Sequence, residues 1–285
     1  MKTKVLIIGA NGLTGQTLTR LFARDADFEI FSFGREDLDI TRSEKTEEVF
    51  RVLKPGYVIN CAAFTQVDAA ETERTRAYAV NVTGVRHLVQ ASEKTGSTLI
   101  HLSTDYVFDG KKQSPYSETD PANPLNYYGL TKRKGELEIN GRLEKFFIIR
   151  TAWIYGKYGN NFYHLLLGLA KEHQTLRFIN DRWGSPTYAG DLAEFIRFLI
   201  REKIRQYGIW HFSNEGETTR YGQAKLMSDL LGLKNRIEPV THDYFKPVAK
   251  RPAYSVLSKE KVKRQLGYDV PHWKESLEKF IKSMQ

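Results

Sequence analysis

Apolar residues gather along this chain in short uncharged runs separated by longer polar stretches with helical spacing. The first run, Val5-Leu6-Ile7-Ile8, is followed by Gly9-Ala10-Asn11-Gly12-Leu13-Thr14-Gly15 and then by Leu18, Leu21 and Phe22 at i, i+3, i+4. That order predicts a strand, a glycine turn and a helix. Phe28 to Phe33 predicts a second strand, Ser43 to Leu53 a helix that ends before Pro55, and Tyr57 to Asn60 a third strand. A helix from about Arg74 to Lys94, closed by Gly96, leads to a buried strand over Thr98–Ser103, and Phe147 to Arg150 reads as another strand. Strand-then-helix units in series imply a parallel sheet covered by helices on both faces, with right-handed crossovers. Beyond residue 150 the rhythm loosens. Helices are expected near 161–172, 191–201, 221–231 and 273–284, with short strands near 176–179 and 209–212, and no repeat or linker interrupts them.

The composition narrows the functional class. With 41% hydrophobic and 27% charged residues in 285, the chain is an ordinary globular protein, long enough for one large domain or two modest ones. No uncharged apolar stretch reaches the roughly 18 residues of a membrane span, and the N-terminal run is too short for a secretory signal. The net charge of +9 comes from basic residues spread along the chain, which argues for a solvated surface with local attraction for anions and against a nucleic-acid site. Cys61 is the only cysteine, so an intrachain disulfide and a multi-thiolate zinc site are excluded. A reducing cytoplasm is the expected location. Cys61 itself reads as a small hydrophobe, and the seven histidines have no ligand-like spacing.

Three features carry chemistry. Gly9, Gly12 and Gly15 lie between a strand and a helix, where backbone amides can meet a pyrophosphate; the spacing is GxxGxxG, not the usual GxGxxG. At the end of the second strand an acidic residue would bind a ribose 2′-hydroxyl and a basic one a 2′-phosphate. Arg35 offers the base, although Glu36, Asp37 and Asp39 beside it also fit a solvated acidic turn. Tyr128 and Lys132 lie one turn apart on a predicted helix, and a nearby ammonium can stabilise the phenolate of a tyrosine whose pKa is ordinarily about 10. Thr104 and its neighbours Ser103 and Asp105 stand at the C-terminal end of a predicted parallel strand, where open α/β sheets bind ligands.

With these in order, the sequence resembles the extended short-chain dehydrogenase/reductase superfamily and, within it, the dTDP-4-dehydrorhamnose reductases. The matching segments run nearly end to end, and the most specific are Ser103-Thr104-Asp105-Tyr106-Val107-Phe108-Asp109-Gly110 and Asn180-Asp181-Arg182-Trp183-Gly184-Ser185-Pro186-Thr187. The resemblance implies a Rossmann-type doubly wound parallel sheet over 1–150 and a smaller C-terminal substrate-binding lobe over 151–285, some segments of which return to the sheet. It implies Thr104, Tyr128 and Lys132 as the catalytic set. Gly9, Asn11, Gly12, Leu13 and Gly15 would line the pyrophosphate of the cofactor, Asp39 and Ile40 its adenine, and Ala62, Ala63 and Thr65 the ribose near the nicotinamide, which Tyr128 and Lys132 also adjoin. Thr65, Val67, Thr104, Asp105, Tyr106, Tyr128, Trp153 and Trp183 would meet the sugar nucleotide. Family members often carry tyrosine where Trp183 stands, and a core position is the alternative for this ring. Some members use glutamates for a magnesium-linked dimer; Ala189-Gly190-Asp191 has none there, so no metal is expected and the chain is expected to be a monomer or a weak homodimer. Tyr244, Arg251 and Pro252 occupy a long loop that either folds over the nucleotide or simply packs. The expected activity is reduction of the C4 keto group of dTDP-4-dehydro-L-rhamnose with NADPH, NADH remaining open as a second cofactor. The rivals are a reductase of another nucleotide 4-keto-6-deoxysugar and a non-catalytic subunit similar to the regulatory subunit of methionine adenosyltransferase.

Overall fold

Consecutive side chains of a strand point to opposite faces of its sheet, and the apolar runs divide their residues between two cores in this way. In the computed structural model, which describes residues 2–285, the runs form strands β1 (Thr3–Ile8), β2 (Phe28–Phe33), β3 (Tyr57–Asn60), β4 (Thr98–Thr104) and β5 (Phe146–Thr151). Val5, Ile7, Ile59, Ile100, Phe147 and Ile149 enter one core. Their neighbours Leu6, Ile8, Val58, Leu99, Phe146 and Ile148 enter the other. Helix α1 (Leu13–Phe22) and the helix Ala189–Arg201 cover the first face through Leu18, Phe22, Leu192, Phe195 and Ile196. Helix α2 (Ser43–Leu53) and the helix Val85–Thr95 cover the second through Val49, Phe50, Leu88 and Val89.

The sheet is parallel throughout and has six strands, ordered Gly208–His211, β5, β4, β3, β1, β2. The chain steps from β1 outward to β2 and then returns to β3 on the other side of β1. This reversal opens a crevice above the C-terminal ends of β1 and β3, where such sheets bind ligands. Strand Gly208–His211, from the second half of the sequence, pairs with β5 and completes the sheet.

The remaining C-terminal elements build a third core from Tyr155, Leu166, Phe178, Met227, Trp273 and Phe280. Strand Thr175–Ile179 pairs there with Arg236–Val240, whose Pro239 and alternating charges hide it in the sequence. The helix Glu260–Leu266 is similarly obscured by four charged residues in seven. The helix expected over 74–94 is helical throughout, but Ala79–Gly84 widens into a π turn between Arg74–Tyr78 and Val85–Thr95. Within that turn Asn81 accepts a hydrogen bond from the Phe64 amide at 2.9 Å and donates to the Phe64 carbonyl at 3.1 Å, so the irregular helix fixes the loop after β3. Among the described residues no helix is long and apolar enough to cross a membrane.

Candidate active site

The turn after β1 is built around two glycines, Gly9 and Gly15, that nothing larger could replace. Gly9 has a left-handed φ of +77°, and a Cβ on it would lie 2.7 Å from the Ala62 nitrogen; one on Gly15 would lie 2.3 Å from the Gly9 carbonyl oxygen. The first bond of α1 runs from Gln16 N–H to the Gly12 carbonyl at 2.9 Å. Gly12 at the cap has no side chain to satisfy the first-turn amides, and that turn contains no acidic residue. The open amides and the positive end of the helix dipole therefore present an anion site at the crevice.

From this turn a cleft of about 580 Å³ runs toward the C-terminal lobe, and it brings together Gly9, Gly12, Leu13, Gly15, Ala63, Thr65, Thr104, Asp105, Tyr128 and Trp153. A smaller cavity of about 260 Å³ adjoins it and is lined by Asn11, Arg35, Asp39, Ile40 and Ala62. Gly9, Gly12, Cys61 and Ala63 border both. At the outer end Asp37 accepts a hydrogen bond from the Gly34 amide, and Asp39 accepts from the amide and hydroxyl of Thr41. These two carboxylates tie the loop to itself. Arg35, 70% exposed and only 3.6 Å from Asp39, is left at the mouth with its donors largely free. The fit to a pyrophosphate-linked dinucleotide bearing a 2′-phosphate is good: small residues at the turn, free amides at the helix start and a guanidinium at the far end.

Thr104 ends β4 and caps the short turn Asp105–Val107: its hydroxyl accepts from the Tyr106 amide at 3.1 Å and donates to the Asp105 carboxylate at 3.1 Å. Tyr128 enters from the helix Tyr127–Asn140, whose start is fixed by Asn126, which accepts from the Gly129 amide, and by Glu71, which accepts from the Tyr127 amide. Burial raises the Tyr128 pKa above its ordinary range, and a hydrogen bond with Thr104 opposes the rise. The phenol is thus held protonated at neutral pH. Lys132 is 2% exposed and lies beneath the cleft wall, where its Nζ donates to the Leu102 carbonyl at 2.7 Å and sits 3.1 Å from His101 Nε2. Burial lowers its pKa to about 8, against the charge of Glu136. Cys61 borders the cleft, but burial pushes its thiol up to about 12, which leaves it inert at neutral pH.

On the C-terminal side of the cleft Trp153 adopts φ +49°, an uncommon conformation for a bulky residue. Its indole lies where a Cβ on Gly184 would come within 2.7 Å. The Arg220 guanidinium sits 4.1 Å from the centre of the Trp153 ring and 4.7 Å from that of Phe162. Asp105 accepts from Ser255 at 2.6 Å, and burial raises its pKa to about 6. Tyr106 packs edge-on to Tyr128 with ring centres 6.1 Å apart, and burial raises its pKa to about 12. Val67 is half-buried on the loop before the helix Ala69–Thr72. Trp183 is 43% exposed, which removes the core alternative; its backbone is held by Ala253 and Ser255. The long loop is strapped across the two halves, since Arg251 forms a two-pronged pair with Asp68, and Asp68 also accepts from the Ala249 amide. Asp191 is buried and accepts from Asn214 and Ser276.

The sequence reading missed Arg220, Arg76 and His101. Arg220 lines the larger cleft and Arg76 the smaller, while His101 lies behind Lys132. No spacing rule marks an arginine at the start of a C-terminal helix as part of a cleft whose other lining residues lie far from it in sequence. His101 sits within an apolar strand, where a core histidine is the ordinary reading.

The family model described as the RmlD substrate binding domain matches residues 3–285. A dTDP-4-dehydrorhamnose reductase of Aggregatibacter actinomycetemcomitans is 37% identical over 96% of this chain and 97% of its own. The chain belongs to the dTDP-4-dehydrorhamnose reductase family. The spore coat polysaccharide biosynthesis protein SpsK of Bacillus subtilis is 38% identical to this family member, over 98% of this chain and 97% of its own. The crystal structure of a dTDP-4-dehydrorhamnose reductase from Bacillus anthracis, in complex with NADP, superposes with a TM-score of 0.96 at 38% identity, covering 99% of this chain and all of that one. The doubly wound parallel sheet expected from the sequence is therefore also the fold of that reductase.

Proposed function

We propose that this chain reduces the C4 keto group of dTDP-4-dehydro-L-rhamnose to the alcohol, using NADPH. The observation that carries this reading is the meeting of Thr104 and Tyr128 on one cleft with the glycine turn of β1, in a chain that matches the reductase family over its length. When bound, NADPH supplies the hydride. Tyr128, kept protonated by burial, donates its phenolic proton to the carbonyl oxygen, and the carbonyl becomes a secondary alcohol. Thr104 holds that oxygen beside the phenol. Lys132, one helical turn beyond Tyr128, lowers the cost of the phenolate in its ammonium form. Gly9, Gly12 and Gly15 admit the pyrophosphate, and Arg35 takes the 2′-phosphate. Trp153 and Arg220 offer a flat wall and a positive charge to the sugar nucleotide, and the exposed Trp183, paired with Thr219 beside Arg220, offers a second ring.

The test is nicotinamide oxidation followed on a panel of dTDP- and UDP-linked 4-keto-6-deoxysugars. Turnover is expected with the rhamno-configured dTDP substrate, and Tyr128→Phe is expected to lower kcat by roughly 100- to 10,000-fold with little change in cofactor affinity. Inactivity on every member overturns the reading. A preference for another configuration moves the assignment to a related reductase, a substrate range within reach of the same catalytic residues.

A further inference from the structure

Behind the cleft, a chain of three buried side chains crosses the sheet from β3 to β4 to the helix Tyr127–Asn140. Asn60 Nδ2 lies 3.0 Å from His101 Nδ1, and His101 Nε2 lies 3.1 Å from Lys132 Nζ. Asn60 and His101 are 1% and 0% exposed. The direction of these bonds is fixed from one end. Asn60 Oδ1 accepts the backbone N–H of Ala62 at 3.0 Å, so the atom turned to His101 is the amide nitrogen, a donor. His101 Nδ1 must then be the unprotonated nitrogen, and the neutral ring carries its hydrogen on Nε2, facing Lys132. An ammonium there would set donor against donor. A neutral amine satisfies every group, because Nζ accepts from His101 Nε2–H while it donates to the Leu102 carbonyl.

We propose that Asn60 and His101 form a latch that favours the neutral amine of Lys132, making His101 a positioning residue that sets the alkaline limit of the reaction. The proposal rests on the reductase reading for its kinetic consequence, but not for its geometry. Burial acts in the same direction on both groups, lowering Lys132 and holding His101 neutral. The other ionisable groups facing them are accounted for. Glu136, on the same helix, is engaged by Arg150, Arg133 and Ser103. The Cys61 thiol on the β3 side stays protonated, and Tyr128 is a neutral phenol. Lys132 is therefore the group in this cluster left to change charge near neutral pH, and the tautomer of His101 decides how readily it does so.

Two measurements test this. In protein labelled with ¹⁵N-histidine, NMR of the unliganded chain is expected to show His101 as the Nε2–H tautomer, unchanged from pH 5 to 8. Asn60→Asp turns the donor into an acceptor, reverses the tautomer and frees Nε2 to accept from an ammonium. In that variant the Nδ1–H form is expected, and the alkaline limb of kcat/KM should move up by at least one pH unit. His101 as Nδ1–H in the parent, or titration of its ring above pH 6, overturns the latch; so does an alkaline limb that stays put in an Asn60→Asp variant whose tautomer has reversed. If the parent oxidises no nicotinamide with any substrate, the reductase reading fails instead, and the NMR result still decides the latch.

Discussion

Gly129 follows Tyr128 in the first turn of their helix, and the structure sets the cost of adding a single methyl group there. A Cβ on Gly129 would lie 2.1 Å from the Tyr106 carbonyl oxygen and 2.9 Å from its carbon. Ordinary contact begins at 3.4 Å, and the opposing atoms are backbone in the turn Asp105–Val107, so they cannot rotate away. Gly129→Ala must move the start of the helix by roughly 1 Å from the strand end that holds Thr104. Overpacking of this kind typically costs about 1 to 3 kcal/mol, which for a chain of this size lowers Tm by roughly 2 to 10 °C. The effect on reduction is larger than stability alone accounts for, because a displacement of about 1 Å between reacting groups can cost on the order of 100-fold in rate. Thermal melting paired with steady-state kinetics on the folded fraction is the assay, and the expected pattern is a near 100-fold loss in kcat with a moderate fall in Tm. A variant with parental Tm and kcat within about threefold of the parent would refute the argument that this glycine sets the spacing of Tyr128 and Thr104.

Three further outcomes are expected. Arg35→Ala should lower kcat/KM for NADPH by roughly tenfold or more, since a hydrogen bond to a charged group is worth about 1.5 to 3 kcal/mol, while leaving NADH almost unaffected; equal losses would show that Arg35 does not select the cofactor. Trp183→Ala should raise KM for the sugar nucleotide about tenfold, or ~1.4 kcal/mol, with little change in Tm because the ring is 43% exposed; a parental KM would remove Trp183 from the substrate wall. Asp105 has a folded pKa of about 6 against an ordinary 3.8, so its neutral form is favoured by folding and the penalty for ionising it grows as pH rises from about 4 to 6. Asp105→Asn should therefore gain stability relative to the parent across that interval, up to about 3 kcal/mol, and parallel Tm-against-pH curves would contradict the shift.

Most of the sheet was legible in the sequence because its inner strands β1, β3, β4 and β5 are largely buried on both faces. Val5 to Ile8, Tyr57 to Asn60 and Phe147 to Arg150 show as short apolar runs whatever surrounds them. Arg236–Val240 was not legible, because a two-stranded edge ladder needs little apolar surface and tolerates Pro239 and two charges. The π turn at Ala79–Gly84 escaped for a different reason: its cause is Asn81, which reaches across to Phe64 and Thr131, a contact of long sequence separation that helical spacing does not encode.

The candidate site divides along the same line. Gly9, Gly12 and Gly15 act through local backbone geometry, and Tyr128 and Lys132 through the pitch of one helix, so short motifs carry them. Arg220 and Arg251 act through partners far along the chain. Arg251 bonds Asp68 across 183 positions, and Arg220 meets Trp153 and Phe162, residues far from it in sequence, only through the packing of the C-terminal elements. His101 is the clearest case. Its role depends on the hydrogen-bond direction set by a backbone amide at Ala62, passed through Asn60 and read by Lys132. No residue in that chain has unusual neighbours in sequence, and its chemistry exists only because β3 and β4 lie side by side with Asn60 and His101 in register. A latch of this type is invisible until pairing register is known, since a slip of one residue would send His101 to the other face of the sheet.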